Sequence, residues 1–281
     1  MFLSLFFCFA FVANVKVGRC QPNSIFLLAG QSNMSGRGGN HNDTKNIVRW
    51  DGKIPPECAS NKNILRLNAN KTWVPAHEPL HKDIDVLKTC GIGPGMPFAN
   101  EILSKVPTFG TIGLVPCAIG GTRIAMWGRG TVLNNRLVDR AKASLNGGGK
   151  IRALLWFQGE SDTSDNDSKL YKGRLENFIN NLRQDLNISN LPVIMASGQM
   201  GELKGSNLRE VAICSADQGP YMNRIRSIQL NYNDTYVKTV DAMGSTFLKD
   251  QKHLDTKSQI QVGHKLAAAF LSSFDGLHPQ Y

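Results

Sequence analysis

Apolar residues along the chain gather into short runs, and each run stops at glycine. SIFLLAG spans 24–30, TIGLVPCAIGG 111–121, IRALLWFQG 151–159 and LPVIMASG 191–198. YVKTVDAMG at 236–244 is a fifth, weaker example. Runs this short and this continuously apolar predict parallel strands buried on both faces. Amphipathic stretches separate them: PFANEILSKV at 97–106, LNNRLVDRAKASL at 133–145, SKLYKGRLENFINNLRQDL at 168–186 and KSQIQVGHKLAAAFLSSF at 257–274. Their spacing predicts helices. Strands alternating with helices imply an α/β fold with a central parallel sheet covered on both faces. Residues 40–96 break the rhythm. They are rich in Asn, Pro and Lys and read as a long irregular insertion. No linker divides the chain, so residues 20–281 are expected to form a single domain.

The first residues follow another pattern. MFLSLFFCFAFVANVKVGRC is almost wholly apolar over positions 2–13, then turns small and polar. The run is too short for a comfortable membrane span and reads as a secretory signal, residues 1–19, cleaved near Gly18–Arg19. A buried N-terminal strand or helix is the competing reading. No later stretch reaches 18 apolar residues, so no membrane association is expected of the mature chain.

Charge changes little. The chain carries +10, and loss of Lys16 and Arg19 with the signal leaves 30 basic against 22 acidic residues, or +8. The basic residues are scattered and form no stripe interleaved with aromatics, which argues against nucleic-acid binding. An acidic polysaccharide matrix is a more natural neighbour. Cysteine matters more. Cys20, Cys58, Cys90, Cys117 and Cys214 follow the signal. In an oxidising compartment they allow two disulfides and one free thiol, with Cys117, in an apolar run, expected to be the free one. Sequons at Asn33, Asn42, Asn70, Asn166, Asn187 and Asn233 fit a secreted glycoprotein, although Asn33 lies where enclosure should protect it.

In open parallel sheets, sites form beyond the carboxyl ends of the strands. Those ends carry Gly30-Gln31-Ser32, Gly120-Gly121-Thr122 and Gln158-Gly159-Glu160. Serine needs a neighbouring base to act as a nucleophile, and the base needs a carboxylate to orient it. Asp250 and His253, three residues apart near the C-terminus, can supply both, in the chain order Ser…Asp…His. Asp255 competes with Asp250 for the orienting role. The backbone N–H groups of Ser32 and Gly121 and the side-chain amide of Gln158 are candidate donors to an oxyanion. Glu160 is expected to brace the loops, against the alternative of a Glu160–Asp162 pair for glycoside cleavage. Arg123 reads as a solvated charge, and Ser32 has the competing reading of a helix N-cap. His77-Glu78-Pro79-Leu80-His81 matches the HExxH zinc pattern, but an interior proline disfavours the required helix by about 3 kcal/mol.

The blocks GQSNMSGRGG, PCAIGGTRIAMW, LLWFQGESD and DQKHL occur in that order and span residues 25–255. The chain thereby resembles the SGNH-hydrolase superfamily, and within it the carbohydrate esterase family 6 and sialate O-acetylesterase-like branch, especially its plant members. The resemblance implies a three-layer α/β/α, flavodoxin-like sandwich. It implies metal-free and cofactor-free hydrolysis of acetyl esters on sugars. It carries the nucleophile role onto Ser32, the base onto His253, the orienting acid onto Asp250, and the oxyanion hole onto Ser32, Gly121 and Gln158. Met34 stands where a GxSxG elbow has its second glycine, which disfavours a lipase-type fold. The expected activity is a secreted serine esterase acting on acetylated carbohydrate, with xylan, pectin or an O-acetylated sialic acid as candidate carriers. A catalytically silent carbohydrate-binding protein on the same fold is the alternative. The oligomeric state is left open.

Overall fold

The computed structural model describes residues 21–198 and 221–274. Residues 1–19, where a signal is expected, Cys20 and Cys214 lie outside them. In chain order the strands are β1 (Ser24–Gly30), β2 (Asn40–Asn42), β3 (Val48–Trp50), β4 (Ile64–Leu67), β5 (Trp73–Pro75), β6 (Ile112–Pro116), β7 (Lys150–Phe157), β8 (Val193–Ser197) and β9 (Val237–Asp241). The helices are α1 (Ser32–Ser35), α2 (Gly95–Lys105), α3 (Val132–Ser144), α4 (Asp165–Leu186), α5 (Met222–Leu230) and α6 (Thr256–Phe274). Seven strands form one sheet in the order β5-β4-β6-β1-β7-β8-β9, and β2-β3 is a separate hairpin. Within the large sheet only the β4–β5 pair is antiparallel.

β1 sits at the centre because every residue in it is buried. Its side chains alternate between two cores, as a strand's must. Phe26 and Leu28 enter the core under α2 and α6, while Ile25, Leu27 and Ala29 enter the core under α3 and α4. Phe26 meets Phe98 and Phe270 edge-on at 4.9 and 5.0 Å between ring centres. On the opposite face Trp156 packs against Phe178 at 4.5 Å and edge-on against Trp127 at 5.3 Å. Two filled faces make the three-layer α/β/α sandwich. β6 and β7 flank β1 on either side, so their carboxyl ends open a crevice directly above it.

Two expectations need correction, and one helix was not anticipated. Residues 40–96 are not irregular throughout: β4 joins the large sheet beside β6, and β5 closes its edge. The strand carries Arg66, an unpromising residue for a buried position. Its guanidinium is neutralised by Asp83 and donates to the Leu80 carbonyl. Helix α5 had no marked signature, because only Met222, Ile225 and Gln229 are buried in it. The expected pair of disulfides also fails. Cys58, Cys90 and Cys117 are all buried free thiols. Each lies in its own packed environment, and burial pushes all three thiols up, Cys90 to about 11.

Candidate active site

β1 runs into the site through a turn that only glycine can make. Gly30 has φ +126°, and a Cβ there would fall 2.1 Å from the Phe157 carbonyl oxygen of β7. The chain therefore leaves the sheet tight against β7 and enters α1, with Ser32 at its first position. The second wall is the loop after β6. Ile119 N–H donates to Gly30 O. A Cβ at Gly120 would lie 3.6 Å from the Ser32 Cβ, so this loop rests on the serine. Gly121 adopts φ +75° with open space where a side chain would be. Its N–H has no acceptor among the described residues.

Helix α6 is preceded by a short loop wound around one carboxylate. Asp250 Oδ1 accepts from the backbone N–H of Lys252 at 2.9 Å and of His253 at 3.0 Å. Its Oδ2 lies 2.6 Å from His253 Nδ1, and His253 Nε2 lies 3.0 Å from Ser32 Oγ. The network assigns the tautomer: Nδ1–H donates to Asp250, and Nε2 accepts from the serine hydroxyl. Partial burial works to raise the Asp250 pKa. The bonds from the His253 ring and backbone and from Lys252 outweigh that and hold it at about 2. Asp250 is thus ionised wherever the imidazole can work as a base. Asp255 has another duty. It caps α6, its Oδ1 accepting from Ser258 N–H at 2.8 Å, and does not orient the histidine.

The sequence-level residues now separate. Ser32, His253, Asp250 and Gly121 come together at the carboxyl edge. Glu160 bonds to α1. Its Oε1 accepts from Asn33 Nδ2 at 2.8 Å, and Asn33 Oδ1 accepts from Leu254 N–H at 3.0 Å, which ties the histidine loop to α1. Burial raises the Glu160 pKa. Gln158 does not offer the free amide expected of it. It is wholly buried, and its Nε2 donates to Asp162 Oδ2 at 2.6 Å and Thr122 O at 2.9 Å, with Gln31 Oε1 at 3.2 Å. Two hydrogens already face three acceptors. Asp162, raised by burial to about 6, is engaged there and with Ile124 N–H, so the glycosidase pair does not form. Arg123 is mostly exposed and lies 3.4 Å from Asp167, the solvated charge anticipated. Residues 77–81 form turns instead of a helix. His81 is buried, and desolvation pushes it down to about 3.

Two supporting residues escaped sequence reading. Asp85 Oδ2 accepts from Arg37 Nη2 at 2.6 Å, Ser35 Oγ at 2.9 Å and Gly120 N–H at 3.1 Å. It pins the Gly120–Gly121 loop to α1 from within the insertion. Asn33 was visible only as a shielded sequon.

A parallel α/β/α sandwich with serine, histidine and aspartate aligned at the carboxyl edge is an arrangement suited to ester hydrolysis. The family described as carbohydrate esterase, sialic acid-specific acetylesterase, matches residues 22–272, and the chain belongs to it. It is a carboxylic ester hydrolase of the carbohydrate esterase type. A probable carbohydrate esterase of Arabidopsis thaliana is 47% identical over 256 residues, covering 90% of this chain and 92% of the relative. A solved Arabidopsis thaliana protein structure superposes with a TM-score of 0.81 at 45% identity, covering 90% of this chain and 99% of that one. NanS shares the fold at 16% identity and a TM-score of 0.68, covering 92% of this chain and 100% of that one.

Proposed function

We propose that this esterase removes acetyl groups from carbohydrate through an acetyl-enzyme on Ser32. The carrying observation is the continuous line from Asp250 through His253 to Ser32, at 2.6 and 3.0 Å. His253 Nε2 takes the Ser32 proton as Oγ attacks the acetyl carbonyl. The Ser32 and Gly121 N–H groups receive the developing oxyanion, since neither donates to another described residue. The protonated imidazole, held by ionised Asp250, passes its proton to the departing sugar oxygen. The acetyl-serine is then hydrolysed by a water that His253 deprotonates, and acetate leaves.

The relatives' names support a sugar as the acyl carrier. Acetylated xylan or pectin fits the plant relatives, and O-acetylated sialic acid fits the family description. The apolar leader at 1–19 and the sequons support passage through the secretory route.

Turnover of p-nitrophenyl acetate tests the mechanism. Wild-type protein should hydrolyse it, with and without a chelator. Ser32→Ala should lose at least about three orders of magnitude in kcat. Retained turnover in that variant would refute the serine mechanism. Acetate release from acetylated xylan, acetylated pectin and O-acetylated sialic acid then ranks the carriers.

A further inference from the structure

With Gln158 engaged elsewhere, the oxyanion site lacks the side-chain donor that sequence reading assigned to it. The residue before the nucleophile offers one. Gln31, in the turn after β1, is 4% exposed, and its carboxamide is held against the loop that follows β7. Its Oε1 accepts from Gln158 Nε2 at 3.2 Å, Ser161 N–H at 3.3 Å and Gly159 N–H at 3.5 Å. Three donors on one oxygen fix the amide's orientation, because a flip would set N–H against N–H. The same Gln158 nitrogen also bonds the carbonyl of Thr122, which directly follows Gly121. The Gln31 amide therefore sits one side chain away from the oxyanion loop and one peptide from Ser32.

The free end of that amide is the informative part. Gln31 Nε2 donates to no described residue and is not among the fully buried, unpartnered polar atoms, so it keeps some accessible surface beside Ser32. A donor that is rigidly held, nearly buried and left without an acceptor matches what stabilisation of a transient charge requires. We infer that Gln31 is a catalytic residue, whose Nε2–H donates to the acyl oxygen as it becomes an oxyanion, alongside the N–H groups of Ser32 and Gly121. This rests on the serine mechanism proposed above. Gln158 then serves as a positioning residue, holding Gln31 through its oxygen.

Steady-state kinetics on p-nitrophenyl acetate test the assignment, because that substrate has no sugar to bind. Gln31→Glu keeps the accepting oxygen and replaces the donor. Gln31→Met keeps the length and removes both functions. Both should lower kcat about 100-fold, the usual cost of one lost oxyanion donor, with KM changed less than about threefold. Both should also slow inactivation by a fluorophosphonate by a similar factor, since its phosphoryl oxygen occupies the same position. Melting temperatures serve as the structural readout, and Gln31→Glu should melt close to wild type. The assignment is overturned if a folded Gln31→Met keeps its kcat, or if KM alone rises. Loss of kcat in Gln31→Met with full activity in Gln31→Glu would also overturn it, leaving Gln31 a scaffold through its oxygen. Should Ser32→Ala keep turnover, the serine mechanism falls and this inference with it. Should only the Gln31 variants stay active, this inference falls alone.

Discussion

At the scale of single residues, the site is a set of charges and donors whose states burial and neighbours decide. Asp250 stays ionised because three hydrogen bonds, with the attraction of the His253 ring, favour its charge over the cost of partial burial. Glu78 shows the opposite outcome. Burial pushes its carboxyl up to about 8, against the bonds from Leu80 and Gly93 N–H and the pull of Arg66. Its Oε1 is buried and has no partner among the described residues. An unfolded glutamate loses its proton near pH 4, whereas this folded one keeps it until about 8. Between those values the native state binds more protons, so stability falls as pH rises. Glu78→Gln stays neutral at every pH. Its melting temperature relative to wild type should therefore climb steadily from pH 5 to pH 8, as followed by circular dichroism. A constant difference across that range would show that Glu78 is ionised throughout.

At the scale of elements, what was legible in the sequence depended on how directly a residue's environment is written in its own chemistry. β1, β6, β7 and β8 are buried on both faces, so continuous apolarity marked them. β4 and β5 are three or four residues long, carry Arg66, and lie among polar turns. Only their partners make them strands. The same division holds in the site. Ser32, Asp250 and His253 were legible because few residue types can do their chemistry. Gln158 was misread because its engagement with Asp162 and Thr122 is a tertiary fact. Asp85 was invisible for the same reason, and it gives the insertion a task. Its ion pair with Arg37 is almost wholly buried on both sides. Asp85→Ala would strand that guanidinium and free the Gly120 loop. The expected cost is about 3–5 kcal/mol in urea denaturation, with a fall in kcat on p-nitrophenyl acetate. Asp85→Asn, which keeps an acceptor for Gly120 N–H, should recover part of the activity. An active Asp85→Ala would mean that the loop needs no anchor.

At the scale of the whole molecule, the proposed passage through the secretory route must be reconciled with three free thiols. Disulfides form where a thiolate can be exposed and meet another. Here each described cysteine is buried, and desolvation raises its pKa. Such thiols resist oxidation without being paired, so an oxidising compartment is compatible with this fold. The sequons divide in the same way. Asn42, Asn70, Asn166, Asn187 and Asn233 are exposed, whereas Asn33 is buried and bonded to Glu160 and Leu254. A glycan on Asn33 would remove the bond that steadies the His253 loop. Expression of the full chain in eukaryotic cells tests the proposal as a whole. The protein should appear in the medium without residues 1–19 and carry glycans on exposed asparagines only. Asn33 should be unmodified in peptide maps, and Cys58, Cys90 and Cys117 should alkylate only after denaturation. Retention of the leader in a wholly intracellular product would end the secretory proposal while leaving the esterase site untouched.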